Sequence, residues 1–297
     1  MSSDSDASAD TGFKLYHYDP SVAGAVIFAL FFGAASFRHI QLIIKTRTWS
    51  FIPFFIGCLF ETIGYAARAY SAKQTPDWSL VPYIIQSMLI LLGPAFFAAS
   101  IYMVLGRLIR NLDGQDYSLI RVNWLTKFFL LGDILSLFGQ SGGGGLLAMA
   151  DSESSINTGN KVILLGLAIQ LIFFGFFIIV TAVFHVRISR RPTIKSQTTN
   201  SPWRKFILVL YFVSLLISVR SVFRMIEYAQ GNNGSLMQKE VYSYVLDALL
   251  MLAVAAVFAV FHPSTILVEH KILDSGVDFG VPDSYPMAPG RGGYMRS

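Results

Sequence analysis

Ionisable side chains stand inside stretches of this chain that are otherwise apolar enough to cross a bilayer, and this combination constrains the fold more than any other feature. Seven such stretches run over Ser21–Ile44, Phe51–Tyr70, Val81–Gly106, Val122–Ala150, Val162–Val186, Phe206–Tyr228 and Val241–Phe261. Each has the roughly 20 residues that a helix needs to span a hydrocarbon core of about 30 Å. Inside them lie Glu61, Arg68, Asp133, Arg220, Arg224, Glu227 and Asp247. A charge facing lipid costs several kcal/mol, so these groups are expected to turn inward and pair, or to line a polar interior. The expected fold class is therefore all-α, a polytopic membrane protein of seven transmembrane helices.

Composition agrees. Only 14% of the 297 residues are charged, against about a quarter in soluble domains. The single cysteine, Cys58, rules out an intrachain disulfide. A net charge of +5 could suggest nucleic acid, but the basic residues follow the loops, and no nucleic-acid partner is expected. The first twenty residues are polar and acidic, the reverse of a cleavable signal peptide. The expected organisation is an exoplasmic tail over 1–20, a helical bundle over 21–263, and a cytosolic, mostly disordered tail over 264–297, Gly/Pro-rich from Asp274 onward. Seven is an odd number of spans and no repeat is visible, so a simple transporter of two inverted halves is not supported.

Orientation follows from the loops. The connections after the first, third and fifth segments, with the C-terminal tail, carry Lys45, Arg47, Arg107, Arg110, Arg121, Arg187, Arg190, Arg191, Lys195, Arg204, Lys205, Lys271, Arg291 and Arg296. The other side carries only Lys14, Lys73, Lys161 and Lys239. Positive charge marks the cytosolic face, which puts the N-terminus outside and the C-terminus in the cytosol. The triplet Asn233-Gly-Ser235, in the loop before the last segment, is a glycosylation sequon on the same outer side.

The polar residues fall in stripes. Glu61, Tyr65 and Arg68 occupy one helical face at i, i+4 and i+7, and Asp133, Ser136 and Gln140 form a similar face. Arg220, Arg224 and Glu227 repeat the pattern, and Tyr244 shares a face with Asp247, with Glu240 at the outer end. Four helices with such faces are expected to converge on the bundle interior. Three arginines stand against Glu61, Asp133, Glu227 and Asp247, leaving one acid over. A surplus acid suits an amine, although buried Arg–acid pairs also lock helices together without touching a ligand. Gly93-Pro94 reads as a kink in the third helix, and Gly142–Gly145 as a site of close packing.

Other seven-helix classes fit poorly. The last segment contains no lysine for a retinal Schiff base. The five histidines, His17, His39, His185, His262 and His270, include no i, i+4 pair, and zinc chemistry needs a converging set. No acidic-Arg-aromatic triplet ends the third helix, and His262-Pro263 stands where a conventional G-protein-coupled receptor has Asn-Pro. Neither an enzyme nor a bound cofactor or metal is expected. No nucleotide-binding motif is present, so transport would be downhill, exchange-like or proton-coupled, with Glu61 and Asp133 as the deepest acids.

Several pieces together carry a family resemblance. They are Tyr18-Asp-Pro20, Glu61-Thr-Ile-Gly-Tyr65-Ala-Ala-Arg68, Gly93-Pro-Ala-Phe96 leading to Tyr102, and Asp133 with Gln140 and the glycine run. Arg220-Ser-Val-Phe-Arg224-Met-Ile-Glu227 follows, then Glu240 through Tyr244 and Asp247 to His262-Pro263. In this order the chain resembles the fungal RTA-like family, lipid-translocating exporters named for resistance to aminocholesterol. The resemblance implies a multi-pass protein of the plasma membrane, linked to export of sphingoid long-chain bases, to stress and drug resistance, or in one branch to porphyrin uptake.

The resulting expectation is a transporter of amphipathic lipids, sphingoid bases foremost, with membrane lipids as its surroundings and a substrate site drawn from Glu61, Tyr65, Arg68, Asp133, Gln140, Arg220, Arg224, Glu227, Tyr244 and Asp247. An ammonium headgroup would meet Glu227 or Asp247. Alternatives are a receptor-like sensor of lipid asymmetry, whose basic loop 187–205 would contact a cytosolic partner, and a porphyrin or sterol-analogue transporter relying on the arginines.

Overall fold

A computed structural model describes residues 20–74, 79–149, 152–199, 202–230 and 240–264. The Asn233 sequon and the terminal residues 1–19 and 265–297 lie outside the described residues. Among those described there is no strand, and seven helices are long and apolar enough to cross a membrane. Lipid offers the backbone no hydrogen bonds, so each greasy stretch closes its own i to i+4 ladder.

The elements are α1 (Val22–Thr46), α2 (Ile52–Ala72), α3 (Leu80–Asn111), α4 (Val122–Ala148), α5 (Glu153–Arg190), a short α6 (Ile194–Thr198) and α7 (Trp203–Ala229). The last span, Glu240–Val260, consists of α8 (Glu240–Ser243), a π-helical turn at Tyr244–Ala248 and α9 (Leu249–Val260). Local chemistry sets several ends. Ser21 caps α1 by accepting from the Gly24 N–H at 3.2 Å, and Arg47 stops it in the left-handed region at φ 54°. Ser152 caps α5 through the N–H of Ser155.

Two helices outrun their apolar segments. α3 continues to Asn111, and α5 begins at Glu153, nine residues before the greasy run. Hydropathy marks where lipid ends, whereas helix ends are set by caps and turns. At 1.5 Å per residue the 38 residues of α5 reach about 57 Å, well beyond a hydrocarbon core.

Sequential neighbours α1, α2, α3, α4 and α5 pack side by side, α7 joins α5 and α3, and the last span closes the bundle between α7 and α1. α3 is the most enclosed of the spans. Leu30, Phe31, Phe37, Phe138, Leu165, Ile172 and Leu208 face outward, as lipid contact requires. The Phe-rich α5 does both jobs, burying Phe174, Phe177 and Phe184 while exposing Ile172 and Ile179.

The interior differs between its two ends. Near the Thr46 end of α1 it is aromatic: Phe51 stacks on Phe54 at 4.6 Å, Phe54 on Phe97 at 4.5 Å, and Phe258 meets both Phe51 and Phe54 edge-on. Towards Ser21, Ala72 and Glu240 it is charged. At the aromatic end the basic segment 187–205 folds back on the α3–α4 connection. There Thr193 donates to the Leu112 carbonyl at 2.6 Å, Lys195 pairs with Asp113 at 2.9 Å, and Trp203 Nε1 donates to Ser196.

Candidate functional site

Helical spacing puts Arg220, Arg224 and Glu227 on the inner face of α7, opposite the last span. Arg220 donates through Nε to Asp247 Oδ1, and through Nη2 to the Ile90 carbonyl at 3.0 Å. That carbonyl is open for a local reason. Its helical donor would be the N–H of residue 94, which is proline and has none. Arg224 pairs with Glu227 at 2.8 Å and lies 3.9 Å from Asp247 Oδ2, with its guanidinium over the Tyr228 ring at 5.6 Å. Arg220 and Asp247 are 2% and 3% exposed, so this is a buried pair in a network of charge-assisted bonds.

Arg68 closes the same cluster nearer the membrane surface. It pairs with Glu240 at 3.1 Å, donates from Nε to the Tyr244 hydroxyl at 3.4 Å and lies over the Tyr244 ring at 5.4 Å. The Ser21 N–H donates to Glu240 at 2.8 Å, and Tyr244 donates to the Ser21 carbonyl at 3.4 Å. Gly24 on α1 is needed here, because a Cβ at that position would meet the Tyr244 ring at 2.8 Å. The π-helical turn carries both Tyr244 and Asp247 and lets one short segment address Arg68, Arg220 and Arg224.

Glu61 sits at the centre of this network but outside its pairs. It is 1% exposed, and its Oε1 has no hydrogen-bond partner among the described residues. It lies within electrostatic reach of Asp247, Arg220 and Arg224, yet no ion pair forms. Gly93 gives it room, since a Cβ there would stand 2.6 Å from Oε1. The Tyr65 ring stacks on Phe32 at 5.7 Å, one turn from Glu61 and in reach of Asp247, Arg68 and Arg220.

Asp133 and Gln140 are not part of this cluster. Gln140 projects from α4 towards α5, where it donates to Gln170 at 3.2 Å and, within α4, to Ser136 at 2.5 Å. Asp133 is 1% exposed and faces the Tyr102 hydroxyl of α3, but neither closes a hydrogen bond of ordinary geometry. The ten expected site residues thus divide into a set of eight around Glu61 and a pair across α4. The division keeps one acid over but changes the membership, with Glu240 in place of Asp133: Arg68, Arg220 and Arg224 share the cluster with Glu61, Glu227, Asp247 and Glu240. The surplus acid is Glu61, while Glu227 and Asp247 already hold arginines.

Four contributors were not read as site groups from the sequence: Ser21, the Ile90 carbonyl, Gln170 and Tyr228. Of these only Ile90 carried a signal, four residues ahead of Pro94. Of the glycine run, Gly143 makes the expected close packing, with Gly159 and Ile163, while Gly142, Gly144 and Gly145 have open space around them. Among the described residues, no group of three His, Cys, Asp or Glu side chains could hold a metal ion.

Comparison with known proteins agrees with this architecture. The family described as RTA1 like protein matches residues 54–270. The protoporphyrin uptake protein 1 of Saccharomyces cerevisiae is 37% identical over 292 residues, covering 86% of this chain and 93% of its own. Protein RTA1 of the same yeast is 33% identical over 280 residues, with 86% of each chain covered. Its sphingoid long-chain base transporter RSB1 is 26% identical over 258 residues, covering 76% of this chain and 67% of its own. No solved structure matches. The family match spans all the helices that build the charged cluster except α1, and the chain belongs to the RTA1-like family of multi-pass membrane proteins.

Proposed function

We propose that the protein is a transporter of amphipathic lipids carrying an ammonium headgroup, with sphingoid long-chain bases as the substrate class. It is read as a transporter and not an enzyme, set in the plasma membrane with its N-terminus outside. The observation that carries this reading is Glu61, a buried carboxylate with an open oxygen beside Arg220 and Arg224, which are each bound to other acids. An ammonium group arriving there gains a charge-assisted bond and displaces no existing pair. Glu227 and Asp247 hold the arginines in place around it, and the acyl chain stays in lipid between helices. The aromatic layer of Phe51, Phe54, Phe97 and Phe258 closes the path on the far side. The name of the RSB1 relative supports the substrate class.

A second reading, uptake of a porphyrin, is favoured by the 37% identity to the protoporphyrin uptake protein. It requires Arg68, Arg220 or Arg224 to exchange an internal acid for a propionate. Transfer of labelled sphinganine, and separately of protoporphyrin, across liposomes holding the purified protein distinguishes the two. The expected result is sphinganine flux above empty vesicles that falls at least tenfold in Glu61→Gln. Protoporphyrin flux that survives Glu61→Gln but is lost in Arg224→Gln favours the second reading. Binding of sphinganine with no flux of either cargo favours a lipid sensor.

A further inference from the structure

Asp133 stands apart from the charged cluster, and the proposed function makes no use of it. It is more than nine-tenths buried, neither of its oxygens has a hydrogen-bond partner among the described residues, and the same is true of the Tyr102 hydroxyl that it faces. From α5 the neighbouring side chains are neutral: Gln170, bonded to Gln140 and Ser136, and Phe174 and Phe177, whose rings lie 6.2 and 4.7 Å from that of Tyr102. From α4 itself, Phe129 closes the aromatic wall at 5.3 Å, and Lys127 points outward over the Trp124 ring. Tyr102 is the titratable group that faces Asp133 from α3.

We propose that Asp133 and Tyr102 form a proton-binding site, separate from the headgroup site, that couples transport to proton movement. A carboxylate in this position has no cation beside it and only the Tyr102 hydroxyl, out of ordinary hydrogen-bond geometry, to compensate the loss of water, at a cost of several kcal/mol. A proton is the counter-ion that fits. It gives the carboxyl one donor, and the Tyr102 oxygen is an unused acceptor in front of it. A hard cation such as Ca2+ needs six or more oxygens, and among the described residues no third His, Cys, Asp or Glu joins Asp133 to hold a metal ion. Tyr102 lies about two turns beyond Pro94 on α3. The same helix supplies the Ile90 carbonyl to Arg220 and the Gly93 surface to Glu61. A proton that changes how Tyr102 is held therefore acts on the helix that borders the headgroup site.

The coupling rests on the transport reading above, whereas the proton site does not, and two measurements separate them. The first is infrared difference spectroscopy of the full-length protein in lipid nanodiscs between acid and alkaline buffer. Wild type is expected to show a carboxyl band that disappears with alkali, that is missing in Asp133→Asn, and that moves in frequency in Tyr102→Phe. A folded Asp133→Asn with the full wild-type spectrum overturns the site. If that variant does not fold, Tyr102→Phe decides: a displaced band supports the site, and an unmoved spectrum overturns it. The second measurement follows lumenal pH, by an enclosed dye, as sphinganine is added to vesicles with a pH gradient. Protein-dependent acidification or alkalinisation lost in Asp133→Asn supports the coupling. Lipid flux with no proton movement in wild type overturns it. Band changes without any flux leave the proton site standing and remove the transport reading instead.

Discussion

Arg220 divides its donors between two acceptors of different origin, the Asp247 carboxylate and the carbonyl that Pro94 leaves open. Removing one side of such a buried pair strands the other charge, which costs about 3–5 kcal/mol. Asp247→Asn is therefore expected to lower the unfolding midpoint in detergent sharply, as read by circular dichroism against temperature. Glu61→Gln should leave the same midpoint unchanged or raise it, because the acid it removes is held by no cation. A comparable loss in both variants would mean that Glu61 is structural. At the opposite end, burial and then the positive neighbours His39 and Arg38 lower the pKa of His262 to about 4. Its Nδ1 accepts from the Ser264 N–H at 3.3 Å, which needs the unprotonated ring. With the folded pKa depressed below the ordinary 6.5, the unfolded chain takes up the proton first as pH falls. Stability is fully present above about pH 6.5 and declines towards pH 4, and His262→Phe should remove that part of the pH dependence in melting curves.

At the scale of elements, α3 and the α4–α5 pair carry different sequence devices. Pro94→Ala restores an N–H that competes with Arg220 for the Ile90 carbonyl. The helix should change in stability by no more than about 1 kcal/mol, while sphinganine flux falls. Equal flux in the variant would remove the carbonyl from the site. Between α4 and α5, Gly166 touches the Ser136 carbonyl oxygen and the Gln140 N–H so closely that a Cβ would come within 2.8 and 3.0 Å of them. Gly166→Val should cost about 1–3 kcal/mol by over-packing, measured as a lower unfolding midpoint. The stripes at i, i+4 and i+7 could be read from spacing alone because a helix fixes which residues share a face. Which stripes meet could not, because that depends on helix order around the bundle. Asp133 and Gln140 have the same spacing as Arg220 and Glu227, yet Asp133 turns to Tyr102 of α3 and Gln140 to Gln170 of α5, and neither turns to the last span. The π turn at Tyr244–Ala248 has no signature in composition, and it is what brings Tyr244 and Asp247 to the arginines.

Across the whole molecule, one end of the interior is charged and the other aromatic. The seven spans were legible because lipid imposes length and apolarity on each. The surplus acid was also legible as a count, but its identity was not. Counting charges does not reveal that Arg224 serves both Glu227 and Asp247, or that Glu240 holds Arg68. Once those pairs are drawn, Glu61 is the acid of that cluster with an open oxygen, and headgroup charge becomes the property that the site should select. The most direct test is transfer of sphinganine against its N-acetylated counterpart, which keeps the chain and hydroxyls but loses the amine charge, across liposomes containing wild type or Glu61→Gln. The account predicts that wild type moves sphinganine at least tenfold faster than the N-acetylated form, and that Glu61→Gln abolishes the difference. Equal transfer of both lipids by wild type, or discrimination unchanged in Glu61→Gln, would contradict it.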